Sequence, residues 1–462
     1  MEFIVQLISR AYGLLWGDLI TLPLPGGGSI GLSLLVLLLI PTGIFFTIRT
    51  RFLPVRLFPE MLRLTVEKRG TDGSAISGLQ ALVISTATRV GMGNLIGVVA
   101  AISAGGAGAV FWMWLSALIG SSTAFVEATL AQLHKQPDPL YGGYRGGPAY
   151  YIHDFLAKGR RKSVIAVLFA ISGLICWCGI SQVISNSVSS AFYNAFSVPP
   201  LYTTVALVAV SAVIVLRKHA TVKVLDVLVP IMAGCYFLMT IFLIVKNAAL
   251  LPSVFSQIFE EAFGIRQAVA GGFGAVLMQG VKRGLFSNEA GSGSAPCAAA
   301  AADITHPAKA GLLQAFGVFL DTIVICSCTA MIMLLTPAEK IAGLSGMDLL
   351  QTAMDYHLGS FGVVFIALIL LLFSFSTFIG VLFYARSNVA YLFGDNWASQ
   401  TAYKILALVM LFVGGLAAYT FVWDLGDVGI GLMTVFNIAV ILPMSREALA
   451  SLREYESLRK KR

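Results

Sequence analysis

Charge is what this chain has least of. Asp, Glu, Lys and Arg make up only 12% of its 462 residues, about half the roughly 25% of an ordinary soluble domain. With 57% hydrophobic residues and a mean hydropathy of +0.85, that shortage excludes a soluble fold and points to a multi-span membrane protein. No Ser/His/Asp set, paired histidines or metal cluster falls within the apolar runs, so an enzyme is not expected. The six cysteines (Cys176, Cys178, Cys235, Cys297, Cys326, Cys328) all lie in apolar segments. They lack zinc-type or thioredoxin-type spacing and read as small packing residues. Residues 1–20 have no basic n-region and no Ala-x-Ala site, so no cleavable signal peptide is expected. They suit an amphipathic helix at the interface, with Trp16 as anchor.

What is present is hydrophobic length. A run of about 20 apolar residues spans hydrocarbon, and the chain offers eleven candidates: 30–48, 79–102, 107–133, 163–191, 201–216, 222–245, 269–300, 308–335, 360–392, 402–419 and 424–444. The net charge of +8 sits in short loops, which makes it an orientation signal rather than a nucleic-acid surface. Basic clusters follow the first span (Arg49, Arg51, Arg56, Arg63, Lys68, Arg69), the third (Lys135, Arg145, Lys158, Arg160, Arg161, Lys162) and the fifth (Arg217, Lys218, Lys223). The tail adds Arg446, Arg453, Arg459, Lys460, Lys461 and Arg462. Alternate loops hold only scattered basics such as Lys246, Arg266 and Lys340. The pattern predicts a multi-pass protein of the cytoplasmic membrane with its N-terminus outside and its C-terminus in the cytoplasm.

Two spans are interrupted. Thr86–Gly97 places Arg89, Asn94 and the glycines Gly91, Gly93 and Gly97 inside an apolar segment, and Gly291-Ser292-Gly293-Ser294 does the same later. Glycine costs about 1 kcal/mol in a helix interior, and backbone freed at mid-membrane persists only where protein, ion or ligand satisfies it. With the first span set aside, ten remain, five on each side, and each five begins with a break. An odd number per half inverts the second, the logic of secondary transporters built from inverted repeats. The expected division is residues 1–78 (interfacial segment, extra helix and loop), 79–250 (first repeat), 251–444 (external helix and second repeat) and 445–462 (basic tail).

Val90-Gly91-Met92-Gly93-Asn94-Leu95-Ile96-Gly97-Val98, followed by Gly105-Gly106-Ala107-Gly108-Ala109-Val110-Phe111-Trp112-Met113-Trp114, resembles the alanine or glycine:cation symporter family. Arg145–Ile152, Arg283–Pro296 and Phe375-Ser376-Thr377 agree, in order, across both halves. The resemblance implies an all-α integral membrane protein of the LeuT-type fold, five plus five inverted helices preceded by one more. It also implies sodium-coupled import of small neutral amino acids of the alanine and glycine class, extending to larger ones such as serine or glutamine. Sodium is then the coupling ion, no other cofactor is expected, and the lipid bilayer and the amino acid are the partners of a monomer. A proton-coupled carrier and a non-transporting amino-acid receptor are the alternatives.

A zwitterion at mid-membrane needs a partner for each charge. The half-helix amides of Met92 and Gly93 suit its carboxylate, with Gly91 and Gly291 permitting the turns. Gly91, Gly93 and Gly97 would otherwise serve only helix packing. Resemblance to LeuT-type transporters places a sodium ion between the carbonyls of Ala87 and Val90 and the hydroxyls of Ser376 and Thr377; the plainer role of those hydroxyls is bonding to their own helix. Asn94 would serve a further sodium site or the substrate. The resemblance makes Gln182 a substrate contact, with Asn186 on the same face one turn on. Phe273, just outside the second break, would close over the ligand, core packing being its plainer role. Arg89, Glu289 and Asp321 are ionisable residues in spans and so functional candidates; pairing of Arg89 with either acid would lock the breaks together, and an unpaired acid would carry a proton. Lys282 and Arg283 are expected toward the external vestibule, and Glu127 as a solvated or capping charge. One departure stands out. The family pattern continues Gly-Trp after Phe-Ser-Thr, whereas here Gly380 precedes Val381, and Tyr384 precedes Ala385-Arg386. Losing an indole there predicts room for a ligand larger than glycine.

Overall fold

Apolar stretches with few charges fold as helices in a bilayer because only there are all backbone groups satisfied within the segment. The computed structural model describes residues 2–23, 29–66, 76–157, 162–217, 222–264, 272–417 and 419–460. Lys68, Arg69, Lys158, Arg160, Arg161, Lys218, Arg266, Lys461 and Arg462, counted above for orientation, lie outside them. Seven helices among the described residues are long and apolar enough to cross a membrane. Four of the expected spans are shorter or broken. Two are the 16-residue helices Leu34–Arg49 and Pro200–Val215, and two are the interrupted segments.

In chain order the principal helices are α1 (Glu2–Trp16), α2 (Leu34–Arg49), α3 (Gly78–Arg89), α4 (Val98–Gly105), α5 (Gly108–Leu133), α6 (Pro148–Ala157), α7 (Val164–Phe196), α8 (Pro200–Val215) and α9 (Val222–Lys246). There follow α10 (Leu251–Ala262), α11 (Gly272–Asn288), α12 (Pro296–Ala301), α13 (Pro307–Leu334), α14 (Gly346–Leu358), α15 (Ser360–Phe393), α16 (Trp397–Leu416) and α17 (Tyr419–Lys460). They sort into two packed groups. Helix α5 lies against α11, α12 and α13, while α7 lies against α15, α16 and α17. Small residues let the second group close up: a Cβ on Gly179 of α7 would stand 2.3 Å from the Gly426 nitrogen of α17.

The ends are pinned by polar contacts. Glu261 of α10 accepts hydrogen bonds from the Ala107 and Gly108 amides at 2.6 and 3.3 Å, capping the start of α5. Ile76–Ser77 pairs in parallel with Ala302–Asp303, so the far ends of both broken segments are tied together. Gln132 and Lys135 donate to the Ala302 carbonyl at 2.9 and 3.0 Å on the same spot. Helix α17 has 42 residues, about twice what the hydrocarbon core needs. Its last turns dock on the loop helix Phe58–Thr65 through Tyr455 and Glu60, beside an Arg56–Glu456 ion pair at 2.7 Å.

Candidate functional site

The first break is a widened turn rather than an open stretch. Helix α3 ends at Arg89, Val90 and Gly91 turn, and Gly93–Gly97 continues as π-helix into α4. The Gly91 amide donates to the Asn94 side chain at 2.9 Å, and the Met92 amide donates to the Thr377 hydroxyl of α15 at 3.2 Å. None of these glycines has a left-handed φ. Gly93 serves close approach instead, because an added Cβ would stand 3.3 Å from the Ser287 Cα and 3.5 Å from the Phe286 carbonyl. The break therefore lies directly on the end of α11.

The second break is open. Residues 289–295 are non-helical between α11 and α12. Glu289, Gly291 and Gly293 take φ of 57°, 95° and 83°, a region open at low cost only to glycine. The amides of Gly291 and Gly293 both donate to the Glu127 carboxylate of α5 at 3.0 Å. Asn437 of α17 donates to the same carboxylate and to the Gly291 carbonyl, and Tyr151 donates to Asn437. Two expectations change here. Glu127 is not solvated; at 1% exposure it takes up the amides that the break releases, which would otherwise be buried and unmet. Gly291 makes the turn, but its amide and carbonyl are engaged by Glu127 and Asn437.

Between the breaks sits Asp321, fully buried in the π-helical stretch Phe319–Cys326 of α13. Its carboxylate accepts from Asn94 at 2.7 Å, Ser287 at 3.0 Å and Thr322 at 2.6 Å. One acid thus joins the first break to the end of α11. Arg89 makes neither expected ion pair. Its Nη1 donates to the Gln314 carbonyl and side-chain oxygen at 3.2 and 3.0 Å, and Gly317 leaves room, since a Cβ there would be 2.7 Å from Nη1. Glu289 instead accepts from the Tyr384 hydroxyl at 3.3 Å.

The remaining candidates are scattered more widely. Ser376 and Thr377 both donate to the Phe373 carbonyl of their own helix, at 2.9 and 2.8 Å, and Thr377 also meets the first break. Val90 and Val381 are buried. Ala87 lies on α3, and its side chain is outside the described set. Gln182 directs Nε2 to the Met410 sulfur at 3.3 Å and leaves Oε1 buried without a partner. Asn186 donates to the Gly414 and Ala417 carbonyls and serves as interhelical glue. Phe273 packs edge-on against Trp112 at 5.6 Å rather than over the break. The aromatic residue at the break is Phe286, 4.9 Å between centroids from Trp423. Lys282 and Arg283 share the Asp427 carboxylate and are buried, not vestibular. Sequence reasoning passed over Ser287, Gln314, Phe286 and Trp423, which carry no local signal, and misplaced Glu127, whose signal was a lone acid well inside an apolar run.

Oxygen groups gather between the two interrupted helices, the arrangement expected of a carrier for a small polar solute and a hard cation. The fold agrees. The chain is similar to MhsT in complex with L-phenylalanine, with a TM-score of 0.56 and 15% identity over 82% of this chain and 93% of that one. It is similar as well to a mutant of the Eremococcus coleocola manganese transporter, with a TM-score of 0.51 and 15% identity over 83% and 81%. These are transporters of the LeuT fold, and that fold is the class to which this molecule belongs.

The particular family follows from sequence. The sodium:alanine symporter family model matches residues 27–462. The chain is 43% identical to the "Probable sodium/glutamine symporter GlnT" of Bacillus subtilis over 93% of this chain and 89% of that protein. It is 33% identical to the sodium/alanine symporter AgcS of Methanococcus maripaludis over 92% and 95%. It is 35% identical to the sodium/proton-dependent alanine carrier protein of Bacillus sp. strain PS3 over 86% and 91%. The chain belongs to the sodium:alanine symporter family and is a multi-pass, sodium-coupled amino-acid symporter.

Proposed function

We propose that this symporter imports a neutral amino acid larger than glycine, with glutamine as the first candidate, by alternating access across eleven spans. Its N-terminus lies outside and its tail in the cytoplasm, and the two five-helix repeats are residues 79–250 and 251–444. The observation that carries this is the meeting of the Met92 amide and Thr377 hydroxyl at 3.2 Å, next to the Asn94–Asp321–Ser287 oxygens. Sodium at Thr377, Ser376 and the α3 carbonyls would draw α15 onto the break. The substrate carboxylate would then take the Met92 and Gly93 amides, and the free Gln182 Oε1 would suit its ammonium group. Asn94, Ser287 and Asp321 would form a second cation site. Val381 in place of an aromatic residue, together with the glutamine named for a relative 43% identical, supports the larger ligand.

Uptake of labelled glutamine, alanine and glycine by the purified protein in liposomes tests this. Sodium-driven uptake with glutamine preferred is the expected result. Uptake driven only by a proton gradient would favour the second reading, in which Asp321 carries the proton; the sodium and proton dependence named for a relative 35% identical motivates that arm. Binding without uptake would instead leave a receptor.

A further inference from the structure

Helix α1 precedes the region that the family model matches, which begins at residue 27. It is nonetheless built into the molecule. Trp16 is buried and donates from Nε1 to the Asp427 carbonyl of α17 at 3.0 Å. Lys282 of α11 donates to the Tyr12 hydroxyl at 2.6 Å and lies 4.5 and 5.6 Å from the Tyr12 and Trp16 ring centroids. The same ammonium pairs with Asp427 at 2.6 Å, and Arg283 reaches the other oxygen at 3.3 Å. The Arg283 guanidinium lies 4.1 Å from the Trp423 ring, which packs on Phe286. Phe286 in turn lies against the positions where Cβ atoms on Gly93 and Gly426 would project, 3.7 and 3.9 Å away. One chain of contacts runs from α1 to the first break.

Helices α11 and α17 belong to different packed groups, so this contact must part whenever the groups separate on that side. We propose that Tyr12 and Trp16 are positioning residues of the transport cycle. By holding Lys282 on Asp427 they seat the Phe286–Trp423 plug over the outer side of the binding site. The proposal rests on the sidedness given above. An ammonium has three protons to satisfy and no acceptors of its own. In the closed form the Asp427 carboxylate, the Tyr12 oxygen and the Trp16 ring face take them, with cation–π attraction strengthened by burial. In the open form water does so equally well. Losing the α1 contacts therefore costs the closed form alone and moves the population toward the open one.

The reporter is Gly426→Cys in a Cys235→Ala background, because a Cβ at Gly426 meets nothing nearer than 3.8 Å and Cys235 is the exposed native cysteine. Labelling from outside by a membrane-impermeant maleimide should accelerate about tenfold in Tyr12→Ala/Trp16→Ala, the shift from losing one or two charge-assisted contacts. Tyr12→Phe, which keeps the ring and fold, should give a smaller rise. External KM should fall together with Vmax, since the open form binds more readily and closes less readily. A merely structural role would lower Vmax alone. Labelling equal to wild type in Tyr12→Phe and in any double variant that reaches the membrane overturns the proposal. Wild-type protein without sodium-driven uptake would overturn the symport reading instead, and the labelling would still decide the role of α1.

Discussion

At position 381 the family pattern has an indole and this chain has a buried valine. It lies one helical turn beyond Thr377, the residue that bonds to the Met92 amide, so on the proposed reading its volume would be set beside the ligand. A pocket discriminates by about 1–3 kcal/mol for one methylene-sized change, and an indole exceeds valine by several such units. Val381→Trp should therefore lower uptake of glutamine relative to alanine by at least about tenfold while leaving alanine transport measurable. Competition between labelled alanine and unlabelled glutamine in liposomes checks it; an unchanged preference would remove Val381 from the pocket.

The two interrupted helices solve one problem in different ways. In the first, the released amides of Gly91 and Met92 find Asn94 and Thr377 at 2.9 and 3.2 Å, groups that a ligand can displace. In the second, Glu127 holds Gly291 and Gly293 at 3.0 Å each, a fixed arrangement. Glu127→Ala would leave two buried amides unmet, at about 1–3 kcal/mol apiece. It should lower the melting temperature in detergent far more than Thr377→Ala does, and Glu127→Gln, keeping one acceptor oxygen, should fall between. Both breaks and the approach of Thr377 were legible because glycine and polar residues inside apolar runs are a local anomaly. Glu127, Gln314 and Ser287 were not, since pairing across 164 residues (Glu127 to Gly291) or 225 (Arg89 to Gln314) leaves no periodic trace. Phe273 and Phe286 both lie on α11, and nothing in the sequence ranks their faces. Outside the membrane, the loop helix Phe58–Thr65 shows a titratable dock. The hydrogen bonds from Arg63, and then from Tyr455, hold the Glu60 carboxyl below its ordinary 4.5. A depressed folded value contributes stability above the unfolded value and loses it as pH falls through the folded one. Amide protection factors across residues 58–65 should therefore stay flat from neutral pH down to about 5 and fall below 4.5, and Glu60→Gln should abolish that fall.

For the whole molecule, the breaks, Asp321 and α15 form one hydrogen-bonded body, through which, on the proposed reading, ion and amino acid would sense each other. Binding linkage is reciprocal: if sodium tightens the amino acid by some factor, the amino acid tightens sodium by the same factor. The number of cations carried then sets the steepest gradient the symporter can build. One sodium entering down about 100 mV and a tenfold gradient releases about 3.7 kcal/mol, enough for roughly 500-fold accumulation of a zwitterion. Two sodium ions square that limit. If Thr377 and Asp321 each serve a cation, wild-type vesicles should exceed the one-ion limit with a sigmoidal sodium dependence. Asp321→Asn, which keeps the size and one acceptor oxygen but removes the charge, should return accumulation to the one-ion limit and straighten the sodium curve. Amino-acid binding at saturating sodium would be weakened less than accumulation. If Asp321→Asn instead leaves both the limit and the curve unchanged, the buried acid is an internal tie between Asn94 and Ser287, and a single ion drives the cycle.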